Sequence, residues 1–201
     1  VILDYNMSVK PINIGVVGVG HLGIHHVKHY TTIPKVNLLG IYDPDVKRSN
    51  YVAKKYKTVA FQSLKKLIRN VDALSIVTPT PNHYKTAKLC IENKKHVFIE
   101  KPITVTLEEA NKLLDLSKNN STIIQVGHIE RLNPALKALE PYYINPKFIE
   151  IQRLAPYTVR GTDVPVVLDK MIHDIDILLS LVKSEVASLE ATGMSIITNS
   201  L

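Results

Sequence analysis

The hydrophobic positions of this chain switch repeatedly between a period of two and a period near 3.6, the mark of strands alternating with helices. Ile12–Val17 reads as a strand and is followed by a helix from about Leu22 to Tyr30. Val36–Tyr42 is the next strand, Asp45–Lys57 a helix, Thr58–Phe61 a short strand and Ser63–Arg69 a short helix. Ala73–Val77 is nearly all apolar, as expected of a strand covered on both faces. His83–Asn93 is helical and His96–Ile99 is a strand. Thr106-Leu-Glu-Glu109 is a capping box opening a helix, with Leu107, Ala110, Leu113 and Leu114 assigned to one face. Ile123–Val126 closes the series. About six strands with intervening helices predict an α/β domain over residues 11–127, a Rossmann-type doubly wound parallel sheet.

After Gly127 the alternation changes. Asn133-Pro134 supplies an N-cap and a first-turn proline for a helix to about Leu139. Phe148–Leu154 reads as a strand, Leu168–Leu181 as a second helix and Ala187–Thr192 as a last strand. Residues 128–201 are therefore expected to form a partial α+β substrate and oligomerisation domain, incomplete because two strands are marginal without further cover. Residues 1–10 read as an N-terminal extension, and the start-like Met7-Ser-Val-Lys sets residues 1–6 outside the fold.

Composition narrows the class without choosing the function. At 201 residues, 45% hydrophobic and 21% charged, the chain is ordinary globular protein. Cys90 is the single cysteine, which leaves no internal disulfide and no multi-thiolate zinc site and fits a reducing, cytoplasmic compartment. No run approaches the ~20 apolar residues that span a bilayer, so no membrane partner is expected. The net charge of +7 raises nucleic acid as a partner, but it is uneven. Residues 1–100 hold 15 Lys/Arg against 6 Asp/Glu, and residues 101–201 hold 10 against 12. Much of the excess lies in Lys-Lys doublets without interleaved aromatic side chains, which reads as solvated surface and not as a nucleic-acid site.

Four of the eight glycines, Gly15, Gly18, Gly20 and Gly23, fall within nine residues. Gly18-Val-Gly20-His-Leu-Gly23 has the G-x-G-x-x-G spacing between a predicted strand and a predicted helix, as a pyrophosphate-binding turn requires. Asp43 ends the second strand twenty residues after Gly23. A carboxylate there accepts the adenosine ribose hydroxyls and repels a 2′-phosphate, favouring NAD over NADP, while Lys47 and Arg48 moderate the repulsion. His21, His25 and His29 share one helix face, but no carboxylate accompanies them at ligand spacing; they read as surface and packing residues, and no metal is expected.

Glu100-Lys101-Pro102 stands at the C-terminal end of the fifth major strand, where an open parallel sheet places its ligand crevice. Taken in order, Gly18-x-Gly20-x-x-Gly23, Thr78-Pro79-x-x-x-His83 and Glu100-Lys101-Pro102 resemble the Gfo/Idh/MocA family of NAD(P)-dependent sugar and polyol dehydrogenases. In the second half, Asp169, His173 and Asp176 stand at i, i+4 and i+7, about 0°, 40° and −20° around a helix of 3.6 residues per turn. Ile172, Ile175, Leu179 and Val182 supply an apolar stripe beside them, and Asp174 points elsewhere, onto a solvated face. The D-x-x-x-H spacing is also the one that the family uses after its central strand.

The resemblance implies a cofactor site of Gly18, Gly20, His21, Leu22, Gly23, Asp43, Thr78, Pro79, His83, Glu100 and Lys101, with a cis Lys101–Pro102 bond. It implies Lys101, His173 and Asp169 as catalytic residues and Arg131, Asn133 and Arg160 beside them as substrate-binding residues. His173 is expected to take the hydroxyl proton, Lys101 to relay it and Asp169 to orient the imidazole; Arg131, Arg153 and Arg160 are the cations available for a substrate diphosphate. Gly127-His-Ile-Glu-Arg-Leu-Asn-Pro-Ala135 with Val167–Asp176 resembles the nucleotide-sugar 3-dehydrogenase branch, which acts on the 3-hydroxyl of UDP-N-acetylglucosamine or a related uronic acid. Inositol or simple-sugar oxidation and a silent cofactor-binding scaffold remain as alternatives. Family members are longer and associate through the C-terminal sheet, so the resemblance further implies a homo-oligomer once that sheet is complete.

Overall fold

A computed structural model of the chain describes residues 10–142, 144–154 and 164–194. The chain divides into two compact units whose boundary falls between Val126 and Gly127. All but Lys10 of the expected N-terminal extension lies outside the described residues, as does Arg160. Among the described residues no helix is long and apolar enough to cross a membrane.

The first unit is a six-stranded sheet of β1 (Ile12–Val17), β2 (Val36–Tyr42), β3 (Val59–Ala60), β4 (Ala73–Ile76), β5 (His96–Ile99) and β6 (Ile124–Val126). Every neighbouring pair is parallel and the spatial order is β3-β2-β1-β4-β5-β6. The order reverses between β1 and β4, so the connections leaving these strands diverge and open a crevice at their C-terminal ends. The crossovers are α1 (His21–Tyr30), α2 (Val46–Tyr56), α3 (Leu64–Asn70), α4 (His83–Glu92) and α5 (Leu107–Asn120).

Side chains one apart on a strand face opposite sides of the sheet, and both sides here are packed. Val16 joins Val19, Val27, Ile41, Val52 and Ala53 on the α1 and α2 side. Val17 joins Leu67, Leu74, Ile76, Ile91, Ile99 and Leu113 on the side of α3, α4 and α5. Cys90 is wholly buried in that second cluster, and burial pushes its thiol pKa up to about 12. Side-chain caps define three helix starts: Asp45 accepts from the Arg48 N–H, Ser63 from Lys66 and Thr106 from Glu109.

The inner face of α5 differs from the one the sequence suggested. Leu113 and Ser117 are buried, whereas Leu107 is 77% exposed and Leu114 is half exposed. Leu107 sits on the first turn, at the helix end, and Leu114 follows Leu113 by a rotation of about 100° that carries it off the packed stripe.

The second unit holds a short turn of helix over Ile129–Leu132, α6 (Pro134–Lys137), a π-helical turn over Val167–Met171 and α7 (Ile172–Leu181). Two strand expectations are corrected. Residues 148–154 and 187–192 have no strand pairing among the described residues, and their apolar side chains stand open, Phe148 at 81%, Leu154 at 91% and Leu189 at 81% exposure. Alternating β-branched and apolar residues give a segment strand propensity, but a strand exists only with a partner for its backbone groups.

Leu113→Ala is expected to cost about 2–5 kcal/mol, as a buried leucine does, and Leu114→Ala about 1 kcal/mol or less. Denaturant unfolding of the two variants checks this assignment of the α5 face.

Candidate functional site

The turn between β1 and α1 is built around close backbone contacts. Gly18 has φ of +85°, and a Cβ there would lie 2.6 Å from the Val77 carbonyl oxygen. A Cβ on Gly23 would strike the Gly18 carbonyl oxygen, so α1 seats directly on the turn. Gly20 differs, because its Cβ would meet nothing within 4 Å. Open space therefore lies in front of the backbone at the residue where the motif brings the cofactor pyrophosphate close. Gly20 is the N-cap of α1, and this helix has neither a side-chain cap nor an acidic residue in its first turn. Its first N–H groups and the positive end of its dipole are thus left for an anion, an arrangement that fits a dinucleotide diphosphate.

Asp43 holds this turn to the end of β2. One carboxylate oxygen accepts from the Val19 N–H at 2.8 Å and the other from the Asp45 N–H at 2.9 Å, and the side chain is 6% exposed. Arg48 stands 3.7 Å from Asp43 and 3.2 Å from Asp45. The sequence suggested a ribose acceptor at this position; the structure adds a main-chain anchor that organises the glycine turn itself.

At the end of β5 the Lys101–Pro102 bond is cis, the isomer implied by the resemblance. Glu100 beside it belongs to a part-buried polar chain that the sequence reading missed. His26, on the inner side of α1, contacts Ser75 Oγ through Nδ1 at 2.9 Å and Glu100 Oε1 through Nε2 at 3.0 Å. Ser75 is the wholly buried hydroxyl of β4 that faces α1 between the inward apolar Leu74 and Ile76 on the other side. The Lys101 N–H donates to Glu100 Oε2 at 3.3 Å. Burial alone would raise the Glu100 pKa; the hydrogen bond and charge of His26, then the N–H and charge of Lys101, outweigh it and hold the carboxyl below its ordinary 4.5. The ionised form is favoured, which suits an anchoring carboxylate. The signal that could have exposed His26 is its place three residues after Gly23, opposite the lone polar residue of an apolar strand, whereas the sequence reading weighed His21, His25 and His29.

Thr78-Pro79 follows β4 beside this tripeptide. The Thr78 hydroxyl is buried with no hydrogen-bond partner among the described residues, a polar group available to a ligand at the sheet end. His83, 1% exposed at the start of α4, joins the two neighbouring turns: Nε2 lies 2.8 Å from the Thr78 carbonyl and Nδ1 2.8 Å from the Pro102 carbonyl.

In the second unit, Asp169 lies in the π-helical turn and His173 in α7, so the uniform 3.6-residue winding expected for their stripe is not kept. Asp176 is the buried carboxylate of α7, while Ile175 and Leu179 of the expected apolar stripe are exposed. Arg131 explains the inversion. Its Nε and Nη2 donate to the two Asp176 oxygens at 2.7 and 2.5 Å, and this pairing lowers the Asp176 pKa against the opposing effect of burial. His128 adds a weaker contact to Asp176 at 3.9 Å. Asp174 is also corrected: its carboxylate is 14% exposed and takes a bidentate bond from Arg153 at 2.7 and 2.6 Å, instead of facing solvent alone. Two arginines considered for a substrate diphosphate are therefore paired within their own unit. Asn133 caps α6 through the Ala135 N–H and donates to Glu130.

A model of the oxidoreductase family with an NAD-binding Rossmann fold matches residues 12–128. The chain belongs to the Gfo/Idh/MocA family. Family membership agrees with the strand order, the glycine turn and the tripeptide after β5, and NAD is the cofactor of that fold. Among curated relatives, the UDP-N-acetylglucosamine 3-dehydrogenase of Acidithiobacillus ferrooxidans is 38% identical over 186 residues, covering 92% of this chain and 59% of that protein. The NAD-dependent scyllo-inositol 2-dehydrogenase of Bacillus subtilis is 30% identical, covering 90% of this chain and 57% of its own length. The solved structure of the A. ferrooxidans enzyme, GnnA, superposes with a TM-score of 0.88 at 36% identity, over 94% of this chain and 62% of that one. The chain thus spans less than two thirds of the length of these relatives.

Because the folded Glu100 pKa is depressed, the group contributes stability above its unfolded pKa and loses it as pH falls through the folded value. In His26→Leu the hydrogen bond and charge of His26 are lost, burial is opposed by Lys101 alone, and the depression shrinks. Wild-type melting temperature is expected to fall on acidification below about pH 4.5, and the variant to be less stable at neutral pH with that fall flattened. Melting curves recorded against pH test it.

Proposed function

We propose that this chain carries the NAD site and the reacting groups of a dehydrogenase that oxidises a secondary alcohol of a sugar, with the 3-hydroxyl of a UDP-N-acetylhexosamine as its substrate. The observation that carries the reading is the open backbone at Gly20, next to an uncapped helix start and on the sheet edge where Lys101 follows β5. The 38% identity to a UDP-N-acetylglucosamine 3-dehydrogenase supports the choice of sugar.

In this reading the backbone N–H groups of residues 20–23 bind the diphosphate, with His21 and Leu22 contributing at the helix start. Asp43 takes the adenosine ribose. Thr78, Pro79 and Glu100 border the rest of the cofactor. NAD bound there would supply the acceptor for the hydride of the carbinol carbon. The role of His173 is to accept the hydroxyl proton, that of Asp169 to orient its ring, and that of Lys101 to act as hydrogen-bonding and proton-relay group. Arg131, Asn133 and Arg160 contribute to substrate binding, Arg131 through a guanidinium that also serves Asp176. Association of copies through the C-terminal unit belongs to the same proposal.

A second reading, inositol oxidation, is supported by relatives such as the scyllo-inositol and myo-inositol 2-dehydrogenases. Turnover of UDP-N-acetylglucosamine against scyllo- and myo-inositol in the full-length protein separates the two; a preference for inositol overturns the nucleotide-sugar assignment.

Calorimetric titration is expected to show tighter binding of NAD than of NADP; equal or tighter NADP binding would contradict the role of Asp43. Gly20→Trp is expected to abolish NAD binding while leaving the melting temperature nearly unchanged, because its side chain enters open space.

Lys101→Ala and His173→Ala are each expected to lower turnover by about 10²–10⁴, with NAD affinity nearly unchanged. Normal turnover in both would leave a cofactor-binding scaffold as the better description.

A further inference from the structure

The β4–β5 ladder ends with Ile76 opposite Ile99, and a last bond runs from the Glu100 N–H to the Ile76 carbonyl at 3.0 Å. Past this point the two strands turn away into Thr78-Pro79 and Lys101-Pro102. Their main-chain carbonyls still need donors wherever they are shut away from water. The His83 ring lies between these turns, with Pro102 itself buried. Proline has no N–H, so its carbonyl is the only main-chain handle through which hydrogen bonding can place it.

Lys101 is therefore held on both flanks. On the N-terminal side its own N–H meets Glu100, which His26 anchors; on the C-terminal side the Pro102 carbonyl meets Nδ1 of His83. Carbonyl oxygens only accept, so the imidazole bonds both carbonyls at once with a proton on each nitrogen, and one of them with a single proton. A hydrophobic residue in its place leaves both carbonyls without that donor.

We propose that His83 is a positioning residue for Lys101, setting the place of its side chain over the crevice through the Nδ1 bond to the Pro102 carbonyl. The proposal rests on the reading of Lys101 as a group that touches substrate. It goes beyond that reading by assigning the work to one ring nitrogen. His83 acts through the main chain and does not contact the reacting atoms.

The two nitrogens can be separated by substitution. The amide nitrogen of asparagine falls near Nδ1 of the histidine it replaces, and that of glutamine near Nε2. His83→Asn therefore keeps a donor for Pro102, and His83→Gln keeps one for Thr78. In the full-length protein, with NAD and UDP-N-acetylglucosamine as the probe, His83→Gln is expected to lower kcat by about 10-fold or more, the scale of a small misplacement of a reacting group. KM for the sugar and Kd for NAD are expected to stay near wild type. His83→Asn is expected to restore most of kcat. Hydrogen exchange supplies a readout independent of turnover: the amides of Lys101, Ile103 and Thr104 should exchange faster in His83→Gln than in wild type, and not in His83→Asn.

Three results overturn the proposal. One is glutamine substituting as well as asparagine, or better, by both kcat and exchange. Another is loss of NAD affinity and melting temperature in proportion to kcat in both variants, which marks a role in folding alone. The third is kcat retained in both variants while Lys101→Ala loses it, which removes the positioning role and leaves the catalytic reading intact. Normal turnover in Lys101→Ala is a different failure, because it removes the catalytic reading and the positioning role together.

Discussion

Parallel strands all end on the same edge of a sheet, and there the hydrogen-bond ladder stops while the chain is still partly buried. The main-chain groups just past the ladder need partners from side chains, and three side chains of the first unit meet that need. Asp43 accepts from Val19 and Asp45, Glu100 accepts from Lys101, and His83 lies between the carbonyls of Thr78 and Pro102. Each belongs to a motif associated with cofactor binding, and each is also structural. The same constraint thus shapes the crevice and gives its polar groups a defined geometry before any ligand arrives.

The first unit was legible because its local signals agree. The glycine spacing lies between a strand and a helix, Asp45, Ser63 and Thr106 stand where caps are needed, and apolar runs mark strands covered on both faces. What escaped was contact between helix and sheet. His26 and Ser75 are 49 residues apart, and no local period announces that they meet. Leu107 and Leu114 were placed on the buried face of α5 because a pattern of leucines fixes a stripe only to within a turn, and end effects decide its edges.

The second unit was harder to read because its organisation depends on charge pairs. Arg131 with Asp176 and Arg153 with Asp174 join positions 45 and 21 residues apart through forked hydrogen bonds. Periodicity placed Asp176 on a polar stripe but could not show that an arginine would cover it and leave Ile175 and Leu179 outside. Strand propensity in 148–154 and 187–192 likewise describes what the chain would do beside a partner strand, which is a property of the partner as much as of the segment.

The burial of Cys90 has a consequence for observing this protein. The chain carries one thiol, set at zero exposure between α4 and the sheet, with its pKa pushed up to about 12. Thiolate chemistry is suppressed there twice, by access and by protonation. Modification by a thiol reagent therefore requires the sheet and helix to separate, and its rate in the native protein counts openings of the core that carries the cofactor turn.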